Sequence, residues 1–127
     1  HDDDIDVAII VDSMPGKTPR QVAEFWQQKV ESLGIKTKFP TPYSLNFHCY
    51  YEDCDMDLFI KVKNDKKPVV ATHMERYLIR DVETELLEPL STYNFNGFEF
   101  SVPNQVEGFL ESRYGKGWIK PDPAFEL

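Results

Sequence analysis

Apolar and polar positions alternate along this chain in ways that set most of its elements. Residues 5–11 read Ile-Asp-Val-Ala-Ile-Ile-Val and predict a strand, entered from the acid-rich start His1-Asp2-Asp3-Asp4-Ile5-Asp6. Residues two apart on a strand point to the same face, so Asp4 and Asp6 stand side by side while Ile5 and Val7 turn toward a core. After a loop at Ser13-Met14-Pro15-Gly16-Lys17, the apolar residues Val22, Phe25, Trp26, Val30 and Leu33 recur at helical spacing and predict a helix over 19–33. Thr18 is placed to cap this helix, Pro19 suits its first turn, Gln21 completes a capping box and Gly34 ends it. Trp26 falls on the apolar stripe, which makes it a core residue rather than a stacking platform for a base.

Residues 35–39 predict a short strand and Pro40-Thr41-Pro42 a break. A further strand over 45–51 puts Leu45, Phe47, Cys49 and Tyr51 on one face and turns His48 to the other. Glu52-Asp53-Cys54-Asp55-Met56-Asp57 then runs into Leu58-Phe59-Ile60-Lys61-Val62, which repeats the opening arrangement of carboxylates leading an apolar strand, with Asp55 and Asp57 on one face. Asn64 to Pro68 is a polar turn, and 69–87 gives mixed signals in which His73, Glu75, Arg76 and Arg80 read as surface positions. Asn96-Gly97 between alternating aromatics predicts a hairpin over 93–102. Asn104 with Glu107 forms a second cap signature, so a short helix is expected over 104–113 with Gly115 as its stop. The closing Tyr114-Gly115-Lys116-Gly117-Trp118-Ile119-Lys120 interleaves basic and aromatic residues, a mix suited to contacting a sugar or nucleotide through Lys116 and Trp118. Docking of Trp118 on the core is the plainer alternative.

With 127 residues, of which 41% are hydrophobic and 13% aromatic, the chain is long enough for one domain over 1–127 with a real core. It has no apolar run of membrane-spanning length. The net charge of -8 argues against a protein that grips nucleic acid by its backbone. Cys49 and Cys54 are the two cysteines and make no CxxC pair, so neither a disulfide framework nor a zinc site is implied. The chain opens on His1 rather than Met, and residues upstream of it are expected.

The two acidic stretches carry the candidate chemistry. Like charges a few ångströms apart destabilise a site unless a cation neutralises them, and oxygen-only ligands suit Mg²⁺ or Mn²⁺. A solvated acidic tail would also explain the first stretch, but the strand that follows it argues otherwise. Asp2, Asp4 and Asp6 also match the first, third and fifth places of a calcium loop, whose sixth place would then be Val7 in place of Gly and whose twelfth Ser13 in place of Glu. If the two acidic strands are neighbours in one sheet, Asp57 completes a three-carboxylate site with Asp4 and Asp6. Such a site can hold two divalent ions for phosphoryl transfer.

The order of these motifs resembles the LicD/fukutin-like phosphotransferases of the nucleotidyltransferase superfamily. His1-Asp2-Asp3-Asp4-Ile5-Asp6 resembles that family's DDDID stretch, and Asp55-Met56-Asp57-Leu58-Phe59 its second acidic strand. Phe98 to Pro103, with Leu110, Tyr114-Gly115, Trp118 and Pro121, resembles its closing pattern. The resemblance implies an α/β (α+β) nucleotidyltransferase-like domain, a small mixed sheet with flanking helices. It implies an enzyme that uses Mg²⁺ or Mn²⁺ to transfer phosphocholine or an alditol phosphate from a CDP-linked donor to a carbohydrate acceptor. Asp4 and Asp6 would be the metal-binding pair and Asp57 the third carboxylate and a possible base; Asp55, His48, Lys116 and Trp118 are expected at the substrate. The superfamily's Gly-Ser helix start lies upstream of the acidic pair and is not within these residues, so the domain is expected to be N-terminally truncated. A glycosyltransferase that uses a nucleotide sugar through its DxD pair, and a non-catalytic metal- or glycan-binding module, are the alternatives. Members of the family work in the bacterial cytoplasm and in the eukaryotic secretory pathway.

Overall fold

The computed structural model of the chain describes residues 5–75 and 78–120, with the backbone alone for 71–75 and 78–80. It is a mixed α+β structure that forms two compact units, His1–Asp81 and Val82–Leu127, within the span read from the sequence as one domain.

The first unit is built on a sheet around one long strand. Its elements are β1 (Ile5–Val11), α1 (Pro19–Glu31), β2 (Lys36–Lys38), β3 (Asn46–Tyr51), β4 (Cys54–Lys63) and β5 (Val69–Glu75); β6 (Leu78–Glu83) runs past the end of the unit. The sheet order is β2-β3-β4-β5-β6, with β1 added on β4. β1 runs parallel to β4 with Ile5 opposite Met56 and Val11 opposite Val62, and β3 runs antiparallel with Asn46 opposite Phe59 and Tyr51 opposite Cys54. β5 pairs with β4 at Val62 and Lys63. Since β1 shares the partners Met56 to Phe59 with β3 and the partner Val62 with β5, β3 and β5 must take the same edge of β4 in succession, and β1 the other.

Alternation then sorts the strands into two faces. Leu58, Ile60 and Val62 of β4, Phe47 and Cys49 of β3 and Val11 of β1 form the core face, closed by Val22 and Ala23 of α1 with Trp26 and Val30 packed against them. The predicted helix forms as the capping signature requires: Thr18 accepts from the Gln21 N–H while the Gln21 side chain accepts from the Thr18 N–H, at 3.3 and 2.9 Å. A cap of this kind contributes about 1 kcal/mol. Arg20 pins the loop after β2 against the helix, donating from one guanidinium nitrogen to the Ser44 carbonyl at 2.6 Å and to the Thr41 carbonyl at 3.3 Å while stacking on Phe39.

Two local expectations are corrected, and one open stretch is resolved. The helix stops at Glu31 rather than Leu33, because Gly34 turns the chain with φ of 85°, and Leu33 is left 74% exposed. Ile5 and Val7 do not enter the core: they are 55% and 38% exposed, since the core cluster takes Ile9 and Val11 from this strand and ends before its first half. The stretch of mixed signals resolves into β5, β6 and a short helix, α2 (Thr84–Leu87).

The second unit holds α2, the hairpin β7 (Ser91–Phe95) and β8 (Phe98–Val102), and α3 (Val106–Tyr114). Asn96 and Gly97 both take positive φ, 51° and 84°, the conformation that made Asn-Gly a hairpin signal. Tyr93, Phe95, Phe98 and Phe100 share one face of the hairpin and are all exposed. α3 begins without a side-chain cap, which corrects the expectation for Asn104. Its backbone N–H is donated to the Leu87 carbonyl and its side-chain amide to the Glu85 carbonyl at 3.0 Å, so Asn104 ties α2 to the start of α3 instead. No helix among the described residues is long and apolar enough to cross a membrane.

Candidate active site

The candidate site forms on the face of the first sheet opposite the core. A two-residue turn, Glu52-Asp53, joins β3 to β4 and fixes their register, with Glu52 in a left-handed conformation at φ of 54°. That register sets Asp57 directly across from His48, and the parallel pairing sets Asp6 across from Asp57 on the other edge. Lys38 of β2 is aligned with His48 in turn. Cross-strand partners lie on the same face, so Lys38, His48, Asp57 and Asp6 form one row across four strands. One step along each strand pair, Asp55 is aligned with Tyr50 and Tyr50 with Lys36. The helix α1 packs on the opposite face, and within the row Asp6 and Lys38 are exposed while His48 and Asp57 are half-buried.

Asp57 is the most enclosed member of the row. Its side chain is 14% exposed and both of its oxygens are engaged: Oδ2 accepts from the Asn46 amide at 3.3 Å, and Oδ1 is hydrogen-bonded to Nδ1 of His48. With Asp57 as a carboxylate, which only accepts, the matching arrangement has the Asn46 NH₂ on Oδ2 and the His48 N–H at Nδ1 on Oδ1. His48 is 38% exposed, with the Tyr50 ring beside it at 6.3 Å. Asn46 was not singled out in the sequence. It is opposite Phe59 and reaches Asp57 along the diagonal, and the available signal was its position two residues before His48 on the same strand face.

The other expected residues are distributed as follows. Asp6 lies in β1 and is exposed. Asp55 lies in β4 and is exposed, on the same face as Asp57. Asp4 is outside the described residues. Lys116 and Trp118 belong to the second unit, where Lys116 is exposed and Trp118 is half-buried with its backbone N–H donated to the Gly115 carbonyl. Of the second set of mixed-signal residues, the side chains of His73, Glu75, Arg76 and Arg80 lie outside the described residues. Among the described residues no three His, Cys, Asp or Glu side chains converge as a ready cation cage.

On the reverse of the row, burial pushes the Cys49 thiol above its ordinary value and the charge of Asp57 adds to the rise. Deprotonation is therefore disfavoured in the fold. The unfolded chain loses this proton first, so the contribution to stability is complete below about pH 9, the ordinary thiol value, and falls away as the pH rises beyond it. Cys54 is exposed. Alkylation with iodoacetamide at pH 8 is expected to modify Cys54 readily and to leave Cys49 protected until denaturant is added, as peptide mass spectrometry would show; equal modification of both in the native protein would contradict the buried placement.

The family model for the LicD/FKTN/FKRP nucleotidyltransferase domain matches residues 1–105, which contain both acidic strands and the β7–β8 hairpin. The chain belongs to this family. Membership in the LicD/FKTN/FKRP family assigns it a phosphotransferase, glycan-modifying role. The match ends at Gln105, so Leu110, Tyr114-Gly115, Trp118 and Pro121 of the resemblance lie beyond it. No curated protein matches the chain.

Proposed function

We propose that this LicD-family domain transfers a phosphorylated group, phosphocholine or an alditol phosphate, from a CDP-activated donor to a glycan hydroxyl, with Mg²⁺ or Mn²⁺ held by Asp4, Asp6 and Asp57. The observation that supports this most is the alignment of Asp6 with Asp57 on adjacent parallel strands, which brings carboxylates from the two acidic stretches to one sheet face. The donor set fits a hard cation: carboxylate oxygens, on a rigid sheet, with no thiol on that face. A divalent ion bound there supplies neutralisation of charge at the donor's phosphates.

The chain's own groups do the rest. Asp57, with its orientation set from β3, offers a fixed carboxylate rather than a rotating one. Asp6, on the exposed first half of β1, faces the entering ligand. In the transfer, a glycan hydroxyl oxygen forms a bond to the donor phosphorus, the bond from that phosphorus to CMP breaks, and the hydroxyl proton leaves to a basic group at the site. Lys36 and Lys38, at the β2 end of the same face, lower the cost of bringing an anionic donor to an acidic site.

The test is CMP release from CDP-choline by the full chain with Mg²⁺ and a panel of glycan acceptors, beside UDP- and GDP-sugars as alternative donors. Metal-dependent CMP release that chelation abolishes is the expected result. Turnover of UDP- or GDP-sugars in place of CDP-choline would favour the nucleotide-sugar glycosyltransferase, and glycan binding without turnover of any donor would favour a non-catalytic module.

A further inference from the structure

We propose that His48 and Asn46 are positioning residues that clamp the Asp57 carboxylate, and that His48 acts through Nδ1 alone to set the affinity of the site for a divalent cation. The inference rests on the reading of Asp6 and Asp57 as metal ligands.

A carboxylate on a single strand has a soft terminal torsion and samples a broad range of orientations. Asp57 is denied that freedom from two directions. His48, directly opposite, takes Oδ1, and Asn46, on the diagonal, takes Oδ2. Both donors come from β3 and are aligned by the Glu52-Asp53 turn, so the clamp is a consequence of strand register rather than of a loop near the site. The clamp leaves Asp57 able to bind a cation. Its two oxygens offer about four lone-pair directions, of which the two hydrogen bonds use two. Asp6 is aligned with Asp57 on the other edge of β4, the edge away from the strand that supplies the clamp.

The tautomer gives the inference its sharpest consequence. Because Nδ1 is committed to Asp57, a substitute that presents an N–H at the position of Nδ1 should preserve the clamp, and one that presents it at the position of Nε2 should not. Asparagine does the first and glutamine the second.

The experiment is calorimetric titration of the full chain with Mn²⁺, for the wild type and for H48A, H48N, H48Q and N46A, with thermal melts in chelator to show that each variant is folded. Loss of an outer partner of a metal ligand typically lowers affinity by about 10- to 100-fold. H48A and H48Q are expected to show a loss of that size and N46A a loss in the same direction, while H48N stays close to the wild type. Wild-type affinity in H48A, or rescue by glutamine in place of asparagine, would overturn the proposal. Nitrogen-15 spectra of the His48 ring test the clamp without metal: a proton held on Nδ1 in the wild type and released in Asp57→Ala is expected, and a ring protonated mainly on Nε2 in the wild type would overturn it. A wild type that binds no Mn²⁺ but holds its proton on Nδ1 would count against the metal reading and in favour of the clamp.

Discussion

Replacing Asp57 with asparagine is expected to weaken Mn²⁺ binding by at least about 100-fold, the upper end of what loss of a mere outer partner costs. The variant removes a charge from the middle of the row while keeping the side chain's shape. Its carbonyl oxygen still accepts from Nδ1 of His48, and the Asn46 amide can turn to offer its oxygen to the new NH₂ group. What is lost is the charge assistance in two hydrogen bonds, about 1 kcal/mol of fold stability. The measurement is Mn²⁺ titration together with urea unfolding. The expected outcome is a large loss of affinity with a urea midpoint lowered only by the equivalent of about 1 kcal/mol, and a protein that binds Mn²⁺ as before would remove Asp57 from the site.

Phe47→Ala is expected to cost about 3–5 kcal/mol, the range for a buried aromatic truncated to a methyl group. Phe47 is fully buried and meets the Phe39 ring edge-on at 5.4 Å, and Arg20 stacks on Phe39. It also sits between Asn46 and His48, so its side chain anchors on the core face the strand whose other face clamps Asp57. Since small domains are stable by only about 5–15 kcal/mol, the variant should unfold at much lower urea and show weakened Mn²⁺ binding before its transition. A shift worth less than about 1 kcal/mol would mean that the α1 side of the sheet is not the core of this unit.

The residues that carry the proposed site were legible to the extent that local pattern and strand adjacency govern them. Acidic residues leading two apolar strands placed Asp6 and Asp57 on faces by alternation, and pairing of those strands aligned them. The orientation of His48 away from the core followed from Leu45, Phe47 and Cys49 on the other face, but its bond to Asp57 depended on register, which the Glu52-Asp53 turn sets and alternation alone does not. Asn46 was hidden because a diagonal contact has no periodic signature. Ile5 and Val7 look like core residues to any periodicity argument; how far α1 extends over β1 decides otherwise, and that is tertiary information. The cap signature at Asn104 was real chemistry with the wrong partner, since a side-chain amide that can cap a helix can equally satisfy the open carbonyl of Glu85. Residues 69–87 gave no clear period because the short α2 follows directly on two strands, so neither template had room to repeat.

On the proposed function, Asp6 and Asp57 act on one cation. The most direct test is a double-mutant cycle in Mn²⁺ affinity with Asp6→Asn, Asp57→Asn and the pair together. Two ligands of one ion should each lose most of the binding alone, with the double variant little weaker than the weaker single variant. Full affinity in Asp6→Asn, or losses that simply add, would place the two carboxylates in separate roles and contradict the shared site.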